Sequence, residues 1–175
     1  MVETLRFTVE AKDSYTRGHS DRVSEYSVLI GEKVGLPEDQ IKLLKVGGLF
    51  HDIGKIGIPD SILLKPDKLT DDEYSEIKNH PSIGAHILGS AAVFKDIVPI
   101  VKHHHEKFDG RGYPSGLQGE GIPYLARIAA IADTFDAMTS KRSYRNALDM
   151  QIVKDEIERC KGTQFDPQLS DVFLD

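Results

Sequence analysis

Histidine is the residue type best placed to do chemistry in this sequence. The chain has seven His and no Trp in 175 residues, and six of the seven fall at His19, His51, His80 and the run His103-His104-His105. Imidazole nitrogens and carboxylates together suit first-row divalent metals. Asp52 follows His51 directly, and Asp133 ends the small apolar run from Ile128. A fold that gathers His19, His51, Asp52 and Asp133 builds one four-ligand site. His80, His104 and His105 supply three further nitrogens. If Asp52 bridges, a second metal is held by Asp52, His80, His104 and His105. A water between two such ions becomes hydroxide near neutral pH, and paired metals recur in phosphate-ester hydrolysis. Lys55 shares the helical face of His51 and can reach a phosphate oxygen, stabilising transition-state charge. His86 and His103 read as ordinary helix residues. Cys160 reads as buried packing.

The elements that must position these residues are helical. Val23, Tyr26, Ile30 and Val34 recur at three and four residues, and Gly35 stops that helix. Pro37 opens the next, with Ile41, Leu44 and Leu49 on one side. Thr70 to Glu73 is a capping box that starts a helix at about Asp71. Pro81 opens a short helix through Ile87. Ile97 to His104, Pro123 to about Thr139 and Leu148 to Cys160 follow. Nothing alternates as a strand would. The expectation is an all-α, single-domain bundle of seven to eight helices. Two long loops interrupt it, Ile58 to Leu69 and the glycine-rich Glu106 to Ile122. Loops of this length in a compact domain are usually functional or disordered.

Composition narrows the partners. With 22 Lys+Arg against 28 Asp+Glu, the formal charge of -6 argues against bulk DNA binding, which needs a basic face. A small anionic ligand in a local cationic pocket remains compatible. No apolar run approaches the ~18 residues of a membrane span. One cysteine rules out an internal disulfide and suits a reducing compartment, so a cytoplasmic location is expected. Residues 1–12 carry an apolar stripe, Val2, Leu5 and Val9, read as an N-terminal helix. It either links to a sensor or receiver domain, caps the domain of residues 13–175, or pairs in a homodimer.

His51-Asp52-Ile53-Gly54-Lys55, with Gly112-Tyr113-Pro114 downstream, resembles the HD-GYP domain, a branch of the HD metal-dependent phosphohydrolases. The likeness runs from Tyr15 to Pro167. It takes in His80-Pro81, His104-His105-Glu106, Asp109-Gly110 and Ala132-Asp133. It implies hydrolysis of cyclic di-GMP by a two- or three-metal site of Fe or Mn, with Ni, Co or Zn also suited to such ligands. The seven residues above occupy the family's ligand positions, and Arg142 and Arg145 its substrate-phosphate positions. Members with a third metal carry a Glu four residues before the first His. Tyr15 stands there instead, so two metals are expected.

The implied chemistry is attack by a metal-bridging hydroxide, with Asp52 and Lys55 at the centre of catalysis. Linear pGpG is the first product, where the reaction either stops or goes on by a second cut to GMP. Nine helical residues would turn Arg142 away from Asp133. A role for Arg142 therefore requires the helix to end near Thr139-Ser140 and the chain to fold back. Otherwise Lys141 to Arg145 is a solvated basic turn. Glu106 suits either the leaving-group acid or a structural role such as orienting a ligand His. Tyr113 packs either on substrate or on protein, and the Gly112-Tyr113-Pro114 loop is implied to contact GGDEF domains. The competing functions are another HD-type nucleotide phosphohydrolase and a catalytically silent module that binds cyclic dinucleotide or docks GGDEF domains.

Overall fold

The computed structural model describes Lys12, residues 18–140 and residues 147–175. The expected N-terminal helix of residues 1–12, apart from Lys12, and Tyr15, Arg142 and Arg145 lie outside the described residues. Helix α1 (His19–Lys33) ends just before Gly35, as its apolar spacing predicts, and α2 (Glu38–Phe50) follows Pro37. The two pack side by side, with the Ser24 hydroxyl donating to Lys45 O at 2.7 Å. A 3₁₀ turn (Ile53–Gly57) leads to the one-turn α3 (Asp60–Leu63), then α4 (Asp71–Ile77) and α5 (His80–Gly89). A second 3₁₀ turn (Ala92–Ile97) runs into α6 (Val98–His103). After the glycine-rich loop come α7 (Tyr124–Thr139), α8 (Met150–Arg159) and α9 (Pro167–Leu174). The described residues contain no strand, only an isolated bridge between Lys161 and Phe165. Eight helices longer than one turn agree with the expected bundle.

Local chemistry explains most of the boundaries. Thr70 Oγ1 accepts from Glu73 N–H while the Glu73 carboxylate accepts from Thr70 N–H, the reciprocal pair expected from Thr70 to Glu73. Asp149 caps α8 through Gln151 N–H, and Asp166 caps α9 through the N–H groups of Gln168 and Leu169. The sequence reading does not include α9, although Asp166-Pro167 is an N-cap followed by a first-turn proline. Nor does it include α3, which lies within the expected Ile58–Leu69 loop. No helix among the described residues is long and apolar enough to cross a membrane.

Two apolar clusters flank the histidines. The larger joins α1, α2, α7, α8 and α9 through Val23, Leu44, Ile128, Ile131, Val153 and Leu169. The smaller joins the end of α2 to the α5–α6 region through Phe50, Ile53, Leu88, Phe94 and Val101. His51 and Asp52 sit where α2 passes from one to the other.

Close backbone approach locks this junction. A Cβ on Gly54 would lie 1.8 Å from His80 O and 2.5 Å from Gly84 N, so only glycine lets the 3₁₀ turn seat against the start of α5. That contact brings His80 to Asp52. Gly54→Ala is therefore expected to lower the calorimetric Tm by about 6–12 °C, the equivalent of ~3 kcal/mol of overpacking. A change below 2 °C would show that the turn can shift freely.

Candidate metal centre

The histidines are aimed by one repeated local device. His51, His80 and His104 each place Nδ1 at 2.7–2.8 Å from the carbonyl oxygen three residues earlier, on Gly48, Ile77 and Val101. A carbonyl only accepts, so each Nδ1 carries the proton and each Nε2 keeps its lone pair. Those three Nε2 atoms are buried and have no hydrogen-bond partner. An orphaned nitrogen in a buried site costs free energy, and each of the three fits a cation that accepts its lone pair.

The fourth histidine is aimed by a carboxylate. His19, at the start of α1, donates Nδ1–H to Asp136 Oδ2 at 2.7 Å, and Arg22 holds the same carboxylate through Nε at 2.5 Å. His19 Nε2 then faces Asp133 Oδ1 at 3.3 Å. Asp136 and Arg22 are absent from the sequence reading. Their signal was positional: each lies three residues after a ligand candidate on the same helix, Asp136 after Asp133 and Arg22 after His19.

Asp52 stands between two groups and shows a different oxygen to each. Oδ2 lies 3.5 Å from His51 Nε2 and 3.9 Å from His19 Nε2, while Oδ1 lies 3.2 Å from His80 Nε2. His19, His51 and Asp133 bring ligand atoms within 4.8 Å of one another, and so do Asp52, His80, His104 and His105. All seven expected residues fall in these two groups; Asp52, expected in both, clusters with His80, His104 and His105, and its Oδ2 lies farther from His51 and His19. Lys55 Nζ lies 2.7 Å from Asp52 Oδ2.

The electrostatics suit a cation. Burial pushes the His51 and His104 imidazoles down, and pushes His105 to about 4, which keeps them neutral with lone pairs free. Burial also opposes charge on His19, but hydrogen bonds with Asp133 and Asp136 outweigh it and raise the group to about 9. For Asp52, burial would favour the protonated form; the Lys55 ammonium overcomes it and holds the carboxyl well below its usual range. Asp133 is likewise held down against burial, by its hydrogen bond with His19.

The glycine-rich loop is fastened to this centre. Glu106 is buried, its two oxygens accepting from Ser115 N–H at 2.8 Å and Leu117 N–H at 3.1 Å. Tyr113 N–H donates to His105 O, and the Tyr113 ring stacks on the His105 ring with centroids 4.9 Å apart. Of the two expected roles for Tyr113, packing on protein is therefore realised, although the residue also borders the cavity. A Cβ on Gly112 would meet Lys107 N at 2.2 Å, so the loop needs glycine there to close down. Pro114 completes that turn.

His103 pairs with Glu106, and His86 is exposed on α5; both stand apart from the ligand groups, as expected. Cys160 is buried. Helix α7 does end at Thr139, and Leu148 N–H donates to Met138 O, so the chain folds back there. Arg142 and Arg145 belong to the segment between, outside the described residues. The ligands open onto a cavity of about 420 Å³, which Tyr74, Lys107, Tyr113, Thr134 and Gln164 also line.

Comparison with known proteins agrees with this geometry. The HD domain model matches residues 3–169. The chain is 42% identical to the cyclic di-GMP phosphodiesterase response regulator RpfG of Xanthomonas campestris, over 99% of this chain and 46% of that protein. It is 38% identical to the 3′3′-cGAMP-specific phosphodiesterase 2 of Vibrio cholerae, over 100% of this chain and 34% of that protein. A crystal structure of a cyclic GMP-AMP specific phosphodiesterase of V. cholerae superposes with a TM-score of 0.75 at 20% identity, covering 98% of this chain and 47% of that one. The fold and the ligand set are those of an HD domain with a His/Asp cluster suited to divalent metal. The chain belongs to the HD domain family, and its relatives bear out the HD-GYP resemblance. It spans about half or less of the length of these curated relatives.

Because Asp136 fixes His19, Asp136→Ala is expected to weaken Mn²⁺ binding 10- to 100-fold in equilibrium dialysis, as losses of such outer partners do. Unchanged affinity would mean that His19 is held by its helix alone.

Proposed function

We propose that this chain is a binuclear-metal phosphodiesterase that hydrolyses cyclic di-GMP to linear pGpG, with a second cut to GMP. The observation that carries the reading is Asp52, whose two oxygens face two separate ligand groups with orphaned imidazole nitrogens. His19, His51 and Asp133 would hold one divalent ion. His80, His104 and His105 would hold the other, with Asp52 shared. Such ions, Fe or Mn by resemblance, supply the Lewis acidity and the nucleophile for phosphodiester cleavage.

The chain's own residues do the rest. Lys55 fixes Asp52 Oδ2 and places an ammonium beside the cavity, where it neutralises charge gathering on the phosphate oxygens. The buried walls limit water around the reacting phosphate. Arg142 and Arg145 are assigned to the phosphates from the resemblance, supported by the end of α7 at Thr139 and the return of the chain at Leu148. Contact of the Gly112-Tyr113-Pro114 loop with GGDEF domains rests on the resemblance too. Two ions instead of three follows from Tyr15 occupying the position of a third-site carboxylate.

Protein purified without chelators is expected to hold two transition-metal ions per chain by plasma mass spectrometry, and to convert cyclic di-GMP to pGpG with Mn²⁺. One or three ions would refute the pair, and intact dinucleotide would refute the activity. Lys55→Ala should lower kcat about 10²- to 10³-fold with both ions retained. Equal kcat would remove Lys55 from the chemistry.

A further inference from the structure

The loop after the His104-His105 pair meets the segment before α9 in a short ladder. Phe108 N–H donates to Gln164 O at 3.2 Å, and Asp109 N–H donates to Thr163 O at 2.8 Å. That pairing brings the Lys107 and Gln164 segments together, and both residues line the cavity onto which metal ligands open.

The Gln164 amide has a determined orientation. The Thr134 hydroxyl donates to Ala130 O at 2.9 Å, so its hydrogen is spent and its oxygen can only accept. Gln164 Nε2 donates to that oxygen at 3.3 Å. The amide nitrogen therefore points at Thr134, next to the ligand candidate Asp133, and Oε1 points elsewhere as an acceptor. Lys107 is exposed and offers donors only. Two residues lining the cavity thus offer an ammonium donor and an amide acceptor.

We infer that Lys107 and Gln164 form a base-reading pair that selects guanine over adenine in the cyclic dinucleotide, an inference that rests on the phosphodiesterase reading for its substrate class. Guanine sets the acceptor O6 beside the donors N1–H and N2–H. Adenine sets the donor N6–H beside the acceptor N1. Lys107 donating to O6 and Gln164 Oε1 accepting from N1–H satisfy guanine. Adenine in the same place puts donor against donor and acceptor against acceptor, leaving the pair unsatisfied.

The test measures binding apart from turnover. Hydrolysis-resistant phosphorothioate analogues of cyclic di-GMP and cyclic di-AMP are titrated calorimetrically into the Mn²⁺-loaded full chain. The wild type should bind the guanine analogue at least tenfold tighter. Gln164→Ala and Lys107→Ala should each cut that ratio about tenfold. A merely structural change would weaken both ligands equally and leave the ratio alone.

A wild type without preference, or variants with the wild-type ratio, would overturn the inference. Product formation from cyclic di-GMP is followed in parallel. Cleavage without base preference sinks the pair and leaves the phosphodiesterase standing. Preferential binding without cleavage does the reverse, and neither binding nor cleavage sinks both.

Discussion

The constraint on which the structure turns is the bond from a histidine Nδ1–H to the carbonyl three residues behind it. It appears at His51, His80 and His104. Each instance spends the ring's one proton on the backbone and commits the other nitrogen to a shared space. The device needs no distant partner, because a helical turn already puts that carbonyl within reach of the ring. What the rest of the fold must supply is the convergence of the three turns. His19 departs from the pattern: it has no such carbonyl bond and uses the Asp136–Arg22 pair from outside its own turn.

Convergence comes from helix ends. His19 opens α1, His51 closes α2, His80 opens α5 and His104 closes α6. An end places a ring at the mouth of a helix without breaking its apolar stripe, so core packing and ligand placement do not compete. Asp133 is the exception, in the interior of α7. The small residues before it, Ala129, Ala130 and Ala132, let the neighbouring elements come close enough to use it. Packing and chemistry are therefore divided along the chain: interior turns build the two apolar clusters, and terminal turns build the centre between them.

Much of this was legible in the sequence, for identifiable reasons. Thr70 to Glu73 marked a helix start because a capping box is wholly local. Gly35 and Thr139 were readable as ends. The seven ligand candidates stood out because their residue types are uncommon together and their motif order was informative. The overlooked parts are those whose meaning depends on contacts between distant segments. Asp136 resembles any helical acid until His19 arrives from 117 positions away. Gln164 gains its orientation only from Thr134, 30 positions earlier. Helix α9 carries a wholly local start signal too, the Asp166 cap followed by Pro167.

Glu106 has a mechanical implication. Its carboxylate is sealed inside the protein, and both oxygens are occupied by the backbone of the glycine-rich loop. Peeling the loop away would break both of these hydrogen bonds, a penalty of a few kcal/mol. The loop is thus no hinged flap but a splint, welded at one end to the residue after His105 and pressed through Tyr113 onto that ring. Force applied to its outer rim is transmitted to the imidazole with little slack between.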